Sequence, residues 1–390
     1  MNNVVEAAPA SRSRYGIRLL LLSAFLIAAY LLIAYLYHAP RGYYGTTDAP
    51  RFADPWIARS ETILDGGLLY RDVFTATPPL TNLLLVIPSL VPIIFGNINP
   101  WATLSYMLFF SLFNIFTAFV LLNMNGNRAK GYWAAVLFLL NPLTFGNTIL
   151  RRQDESIVVF FIALALMFVI QERHTIASIT IGAATLVKLS GAFLIPVALI
   201  HYRNWRYLII PPLVFILVMG PFLLLAGSEA IFFNPSTDRA QHPFQFKGVS
   251  LGALWNQMQS ETGQIPLLAA SVAMIIVVGI AIVIIAWKRF GILQDMIILT
   301  TAIYIVSPKL HTGYFSLVAL LMAPLIRNRT IAILYLLFGA FAVVADFYKW
   351  PIANFRIAFW LMVVTLIMLL GLTIALGFPP LTTKSKAELA

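Results

Sequence analysis

The sequence predicts an all-α polytopic membrane protein with about twelve transmembrane helices. Three observations support this fold class: 60% of the 390 residues are hydrophobic, only 11% are charged, and the mean hydropathy is +0.87. Soluble domains usually carry about 25% charged residues. Apolar runs near the roughly 20 residues that cross a bilayer recur along the whole chain. We therefore expect a single membrane domain over residues 1–390.

The composition also excludes several classes of protein. The chain has no cysteine, so disulfides and thiolate metal sites are excluded. The net charge of +11 comes from basic residues scattered between apolar runs, as the positive-inside rule describes, and this pattern argues against nucleic-acid binding. The first apolar run, Arg18–Tyr37, has no small-residue cleavage site after it, so we expect it to be a retained span.

Apolar runs bounded by charged or turn residues define twelve expected spans. They cover residues 17–37, 101–123, 132–148, 156–170, 175–187, 190–201, 206–226, 265–287, 292–306, 314–326, 330–346 and 356–377. The segment 81–95 is apolar but short, and Pro88 and Pro92 interrupt it. We expect that segment to lie in the membrane interface or to be re-entrant, because counting it as a span would invert every later loop.

The charge distribution predicts the orientation of these spans. With the N-terminus inside, basic residues recur in the cytoplasmic connections, whereas 11 of the 15 acidic residues fall on the other side. Both termini are then cytoplasmic, and two long loops, 38–100 and 227–264, are external. The compact length and short tails favour the plasma membrane of a prokaryote over the endoplasmic reticulum.

The external segment 45–80 holds an unusual concentration of charge, with five carboxylates and three arginines. Asp48 lies at the expected boundary between water and lipid, just before a predicted helix. Asp is favoured as a helix cap, so a capping role and a functional role for Asp48 both stay open. A simple connector between two spans needs few polar residues, so we expect this segment to contain part of a site.

The segment Phe52–Leu64 has the pattern of an amphipathic helix at the membrane surface. Trp56 and Ile63 are expected to face lipid, and Arg59 and Glu61 are expected to stay in water. The predicted fold is therefore a helical bundle whose first external loop contains a juxtamembrane helix.

A second charged group lies between the third and fourth expected spans. Arg151, Arg152, Asp154 and Glu155 fall within five residues at a membrane boundary, where charges are costly unless solvated or paired. They are consistent with a self-neutralising helix cap. They are also consistent with a site in which the two arginines bind a phosphate through their planar donor forks.

Further basic residues lie at expected span ends. Lys309 and His311 are able to stabilise the charge on a leaving phosphate. The alternative is that Lys309 snorkels to the membrane surface and His311 is an ordinary surface residue. Lys188 has the same two interpretations, phosphate binding or snorkelling. The loop 227–264 mixes aromatic and basic residues, which suits a phosphorylated sugar or a loop lying on the membrane. Its candidate substrate-binding residues are Arg239 and His242.

The first external loop resembles that of the GT-C glycosyltransferases, which include aminoarabinose transferases, protein O-mannosyltransferases and GPI-type mannosyltransferases. The matching residues are Asp48, Arg51, Phe52, Ala53, Leu64, Gly66, Gly67, Tyr70, Arg71, Asp72, Pro78, Pro79 and Leu80. Weaker matches cover 151–155 and 307–315. Unlike the D-E or D-x-D of several members, Asp48 is followed by Ala49 and Pro50.

This resemblance implies an inverting glycosyltransferase that moves a hexose, with mannose favoured, from a dolichyl- or polyprenyl-phosphate donor to a lipid-linked or glycan acceptor. It implies catalytic roles for Asp48 as general base and for Asp154, and substrate contacts by Arg51, Tyr70, Asp72 and Glu155. A basic set drawn from Arg151, Arg152, Lys188, Arg239 and Lys309 would hold the lipid phosphate. The chain has no G-x-x-x-x-G-K-[ST] and no G-x-G-x-x-G motif, so the donor must be reached from the membrane.

The sequence predicts no resident cofactor. Carboxylates with His242 or His311 are able to bind Mg²⁺, Mn²⁺ or Zn²⁺, but no ligand spacing requires a metal, so a divalent cation stays open. Two other functions also stay open. A secondary transporter or flippase of a lipid-linked sugar would need ionisable residues in the middle of spans. A non-catalytic membrane scaffold would tolerate replacement of Asp48 and Asp154.

Overall fold

A computed structural model describes residues 9–38, 54–75, 77–96, 101–124, 126–227, 246–260 and 263–378. This part of the chain is almost entirely helical, as predicted. Its α-helices are α1 Pro9–His38, α2 Asp54–Leu64, α3 Pro79–Phe95, α4 Trp101–Met124, α5 Arg128–Leu140, α6 Pro142–Phe145, α7 Glu155–Ile170, α8 His174–Val187, α9 Leu194–Tyr202, α10 Arg206–Ala226, α11 Leu251–Met258, α12 Leu267–Lys288, α13 Ile292–Val306, α14 Phe315–Met322, α15 Arg329–Lys349 and α16 Phe355–Gly377. The described residues also form a π-helical turn, short 3-10 helices and two short strands, β1 Lys247–Gly248 and β2 Lys309–Leu310.

Six of the described helices are long and apolar enough to cross a membrane. They lie within α1, α4, α10, α12, α15 and α16, and a seventh is added if the bent pair from Arg128 to Leu150 is one span. The other expected spans correspond to shorter apolar helices of 10–17 residues. The protein therefore has the helices of an integral membrane protein, and the count of about twelve spans stays a prediction.

The helices divide between two compact units. The first unit is Met1–Ala192 with Arg206–Pro243, and it contains α1 to α8 and α10. In it α4 packs against α1, α3, α5 and α7, and α8 packs against α3, α7 and α10. The second unit is Phe193–Trp205 with Phe244–Ala390, where α13 packs against α9, α12, α14 and α16.

The segment expected to be interrupted by prolines is one continuous helix. α3 runs from Pro79 to Phe95 with Pro88 and Pro92 inside it, both on its buried face. A proline within a helix removes a backbone hydrogen bond, and that loss is tolerated best where neighbouring helices surround the site. α3 has such neighbours, because it packs against α2, α4 and α8.

A chain of buried hydroxyl groups joins α2 to α3 and α4. Ser60 Oγ donates to Ser89 Oγ at 2.7 Å, and Ser89 Oγ lies 2.6 Å from the hydroxyl of Tyr106. All three side chains are fully buried. Buried polar groups that satisfy one another in this way specify one arrangement of the helices that carry them.

α2 therefore does not lie on lipid in the way its amphipathic pattern predicts. Trp56 was expected to face lipid, but its ring packs on Tyr106 of α4, with ring centroids 5.1 Å apart. Ile63 packs against the buried cluster of Leu69, Tyr70 and Met219. Both side chains are half-buried, and the sequence pattern does not show the surfaces that they contact, which belong to α4 for Trp56 and to the following loop and α10 for Ile63.

The hydroxyl chain gives a first testable prediction. Ser89→Ala removes the central hydroxyl and takes from buried Ser60 its acceptor, so we expect a loss of about 1–3 kcal/mol in the free energy of unfolding. Thermal unfolding in detergent measures it as a fall of several degrees. Ser105→Ala is the matched control, because the partner of Ser105 among the described residues is Ala102 O of its own helix. Equal melting temperatures of the two variants would contradict the proposed tie.

Candidate functional site

The loop 151–155 is positioned by a broken helix. α5 ends at Leu140, and Asn141 lies between it and α6, where the axis bends by 55°; α6 continues into a π-helical turn, Gly146–Leu150. Asn114 of α4 secures the bend by donating from Nδ2 to Thr144 O at 2.9 Å. π-helical turns occur frequently at functional sites. Immediately after this one, Arg152 is buried and has a left-handed backbone with φ of 53°, which a non-glycine residue adopts at a cost.

Lys188 joins the two carboxylates of this loop. Its Nζ lies 2.5 Å from Glu155 Oε1 and 3.4 Å from Asp154 Oδ1. The lysine is about 22% exposed, Asp154 17% and Glu155 7%, so the cluster is largely shielded from solvent. We call Asp154, Glu155 and Lys188 the ion cluster. The structure thus brings together three predicted site residues that lie up to 34 positions apart.

These contacts bear on two of the alternatives that the sequence left open. Asp154 occupies the N-cap position of α7, but its side chain makes no capping hydrogen bond. Its carboxylate turns to Lys188 instead. Lys188 in turn contacts carboxylates, which is not the behaviour of a lysine that merely snorkels to the membrane surface.

Buried polar atoms beside the ion cluster have no partner in the described part of the protein. They belong to three nearly consecutive residues: Gln153 Oε1, Glu155 Oε2 and Ser156 Oγ. Most buried polar atoms in proteins are hydrogen-bonded, so each exception needs an explanation, and a functional role is one of them. This segment is therefore a candidate for ligand binding.

Burial raises the pKa of Glu155, Lys188 lowers it, and Asp154 raises it again. Burial is the largest of these effects because a carboxylate loses hydration in an apolar surrounding. Lys188 is therefore the neighbour that favours the ionised form of Glu155.

The first turn of α3 lies beside the ion cluster. Thr81 Oγ1 donates to Val187 O, immediately before Lys188. One residue further, the buried Asn82 accepts a long contact of 3.5 Å from Nη1 of Arg59, whose Nε also donates to Phe74 O at 3.2 Å. Burial lowers the pKa of Arg59, and the charge of Asp154 raises it. Arg59 thus points inward, where we had expected a solvent-facing side chain.

Tyr70 and Asp72 hold the loop between α2 and α3 in place. Tyr70 is buried with a left-handed backbone, φ 74°, and its hydroxyl donates to Thr77 O at 2.8 Å. Asp72 accepts from Leu68 N at 2.7 Å and pairs with Arg71 at 2.8 Å. The hydrogen bonds from Arg71 and Leu68 lower the pKa of Asp72 to about 2. Both predicted substrate contacts are therefore in positions that shape the loop.

In the second unit, Lys309 and His311 lie beside the end of the second long loop. β1 and β2 pair in parallel, with Lys247 opposite Lys309 and Gly248 opposite Leu310. Gly248 has φ of 76°, and a Cβ there would lie 1.9 Å from Leu310 O, so only glycine fits. The ring of His311 packs edge-on against Tyr314. The structure thus joins two segments that the sequence marked separately.

Four predicted site residues lie outside the described residues: Asp48, Arg51, Arg239 and His242. Their roles stay predictions. Within the described ranges, no group of three or more histidine and carboxylate side chains is arranged to hold a metal ion.

Comparison with sequence models of known protein families identifies the family of this chain. Residues 74–308 match the sequence model of glycosyltransferase family 87, which covers well over half of the protein. The chain belongs to glycosyltransferase family 87. This family is of the GT-C-like polytopic membrane class, so the predicted resemblance to that class is confirmed. A search of curated proteins finds no match.

The match to family 87 contains the ion cluster and Asn82 but begins after Arg59 and ends before Lys309. A glycosyltransferase family favours an enzyme over the transporter and scaffold alternatives. Sequence reasoning assigned no site role to Arg59 or Asn82. Asn82 did carry a signal, since it is one of the few polar residues of α3, on the same face as Ser89 and two turns before it.

The ion cluster gives a second testable prediction. Lys188→Met leaves two shielded carboxylates without their cation, and we expect a loss of about 3–5 kcal/mol in the free energy of unfolding. Adding Glu155→Gln to this variant should restore part of the lost free energy of unfolding, because it removes one of the two unpaired carboxylates. Lys130→Met is the control, because Lys130 is exposed on α5.

The loss in Lys188→Met should also depend on pH. Without the lysine, the pKa of the buried Glu155 carboxylate rises further above its unfolded value of 4.5. The variant then takes up a proton on folding, so its deficit should shrink between pH 8 and pH 5. A deficit that is independent of pH, or that grows at low pH, would show that these carboxylates are not the groups left unpaired.

Proposed function

We propose that this family 87 protein is an inverting hexosyltransferase that uses a dolichyl- or polyprenyl-phosphate sugar, with mannose as the favoured hexose. The acceptor is a hydroxyl group of a lipid-linked or glycan molecule. The observation that carries the proposal is the ion cluster with its unpartnered neighbours, a shielded polar site in a unit built from apolar helices. A substrate that reaches such a site from the membrane needs a lipid anchor.

In the proposed reaction Asp48 accepts the proton of the acceptor hydroxyl as its oxygen attacks the anomeric carbon. The bond from that carbon to the phosphate oxygen breaks, and its electron pair leaves with the lipid phosphate. One displacement inverts the anomeric configuration, because no carboxylate forms a covalent intermediate. Asp154 orients the acceptor or the sugar, and Glu155 holds Lys188 in place.

Basic side chains stabilise the charge that develops on the leaving phosphate. The proposed contacts to this phosphate in the first unit lie in or beside the loop 151–155: Arg151, Arg152 and Lys188. The external loops add Arg51 and Arg239. Tyr70 and Asp72 shape the loop that faces the substrate. Lys309, His311 and His242 stay proposals for further substrate contacts, and a divalent cation is not required by the scheme.

We further propose that the reaction takes place on the non-cytoplasmic face of a prokaryotic plasma membrane, favoured over the endoplasmic reticulum, with both termini in the cytoplasm. The excess of acidic residues in the expected external loops and the basic residues in the opposite connections support this orientation.

Sugar transfer by purified protein tests the proposal. Polyprenyl-phosphate [¹⁴C]mannose is incubated with wild type and with Asp48→Asn in detergent, with a membrane lipid and glycan extract as acceptor. Removal of a general base should lower the rate by about 10²–10⁴-fold while donor binding is retained. Asp65→Asn is the matched control, since Asp65 is an exposed carboxylate of the same loop.

Two results would overturn parts of the proposal. Full activity of Asp48→Asn would exclude Asp48 as the base. If the wild type neither binds a lipid-phosphate sugar nor transfers sugar from one, this class of donor is excluded.

A further inference from the structure

We propose that Arg59 of α2 binds the phosphate of the lipid-linked donor and keeps hold of it as the lipid phosphate leaves. This inference rests on the proposed function and adds to it a residue outside the matched range 74–308. It is carried by the way the arginine is held, by the charges around it and by its place beside the ion cluster.

Arg59 is held by neutral acceptors only. Its guanidinium donates to the carbonyl of Phe74 and to the side-chain oxygen of Asn82. Among the described residues, no carboxylate lies within 4 Å of it, whereas Arg71 pairs with Asp72 and Lys188 pairs with Asp154 and Glu155. A guanidinium has five N–H donors, and two contacts leave most of them for a ligand. Arg59 therefore keeps both its charge and much of its donor fork.

The arginine is also fixed in position. The next residue, Ser60, is tied to Ser89 of α3, and Asn82 lies on the same face of α3 two turns earlier. Asn82 itself is fixed by donating to Thr77 O and Pro78 O. A half-buried arginine whose backbone and acceptor are both fixed loses little entropy when it binds an anion.

The charge of Arg59 belongs to the same polar region as the ion cluster. Asp154 acts electrostatically on Arg59 from beyond 4 Å. Within the ion cluster Lys188 already pairs with Asp154 and Glu155, whereas Arg59 forms no ion pair with a described carboxylate. The positive charge that this region offers to an anion is therefore that of Arg59. The planar fork of arginine suits phosphate oxygens better than a lysine does.

The competing role for Arg59 is a purely structural strut from α2 to the start of α3. Both roles predict that a substitution changes stability, but only phosphate binding predicts a loss that depends on the phosphate of the ligand. The discriminating measurement is therefore direct binding of three probes: farnesyl phosphate, farnesol and inorganic phosphate. Farnesyl phosphate carries both the phosphate and the isoprenoid chain, farnesol carries only the chain, and inorganic phosphate carries only the phosphate.

The experiment compares wild type, Arg59→Gln and Arg59→Lys by titration in detergent. We expect Arg59→Gln to weaken farnesyl phosphate binding about tenfold or more, as loss of a charge-assisted hydrogen-bond pair implies, with farnesol binding unchanged. Arg59→Lys should lie between the two, and it also serves if the glutamine variant does not fold. Arg173→Gln is the matched control, an exposed arginine at the other end of α8 from Lys188. It should bind farnesyl phosphate like wild type.

The outcomes separate this inference from the proposed function. If Arg59→Gln folds and binds farnesyl phosphate as tightly as wild type, Arg59 is a strut and the inference is overturned, while the donor class stands. If wild type binds farnesyl phosphate no better than farnesol, both are overturned. If inorganic phosphate alone binds as tightly as farnesyl phosphate, the site takes a free phosphate and the lipid-linked donor is rejected.

Discussion

The ion cluster of Lys188, Asp154 and Glu155 is the interaction on which the first unit depends. Two carboxylates at the start of α7 can be shielded from water only if a cation accompanies them, because desolvation of an unpaired charge costs more than helix packing returns. The cation comes from the C-terminal end of α8, and the bond from Thr81 to Val187 fixes that end against α3. One electrostatic requirement thus sets the relative positions of α3, α7 and α8.

A second, uncharged constraint aims the first external loop at this cluster. The Ser60–Ser89–Tyr106 chain fixes the rotation of α2 on α3 and α4. Because Arg59 precedes Ser60, the same rotation turns its guanidinium toward Asn82 and away from water. Apolar surfaces slide over one another more readily than hydrogen-bonded ones, so a few buried hydroxyls give a helical membrane protein a specificity that hydrophobic packing alone does not supply.

Hydropathy was sufficient to predict the helices, since a long apolar run is a property of the sequence itself. α4, α10, α12, α15 and α16 lie where the apolar runs placed them. The inward rotation of α2 was not predictable, because its pattern of Trp56, Arg59 and Ile63 fits a helix on lipid equally well. What decides between the two is the surface of α3 and α4, which only the tertiary structure supplies.

The site was predictable in part for the same reason. Asp154 and Glu155 stood out because carboxylates are scarce in this chain and costly at a membrane boundary. Their partner did not stand out, because Lys188 at a span end has the same local signature whether it snorkels or pairs. Arg59 was hidden by its amphipathic context. The local sequence reveals where a charged residue is costly, but the oppositely charged partner that offsets the cost is brought there by the tertiary structure.

This pairing also bears on the division of roles in the proposed reaction. A general base must reach the acceptor hydroxyl and keep a lone pair free for its proton. Glu155 fails the first condition, since Lys188 holds one oxygen at 2.5 Å and the other is buried. Asp154 is more accessible, but the same lysine lies 3.4 Å from one of its oxygens. A base outside the ion cluster is therefore favoured, and the role that we propose for Asp48 leaves the cluster to orient the substrate.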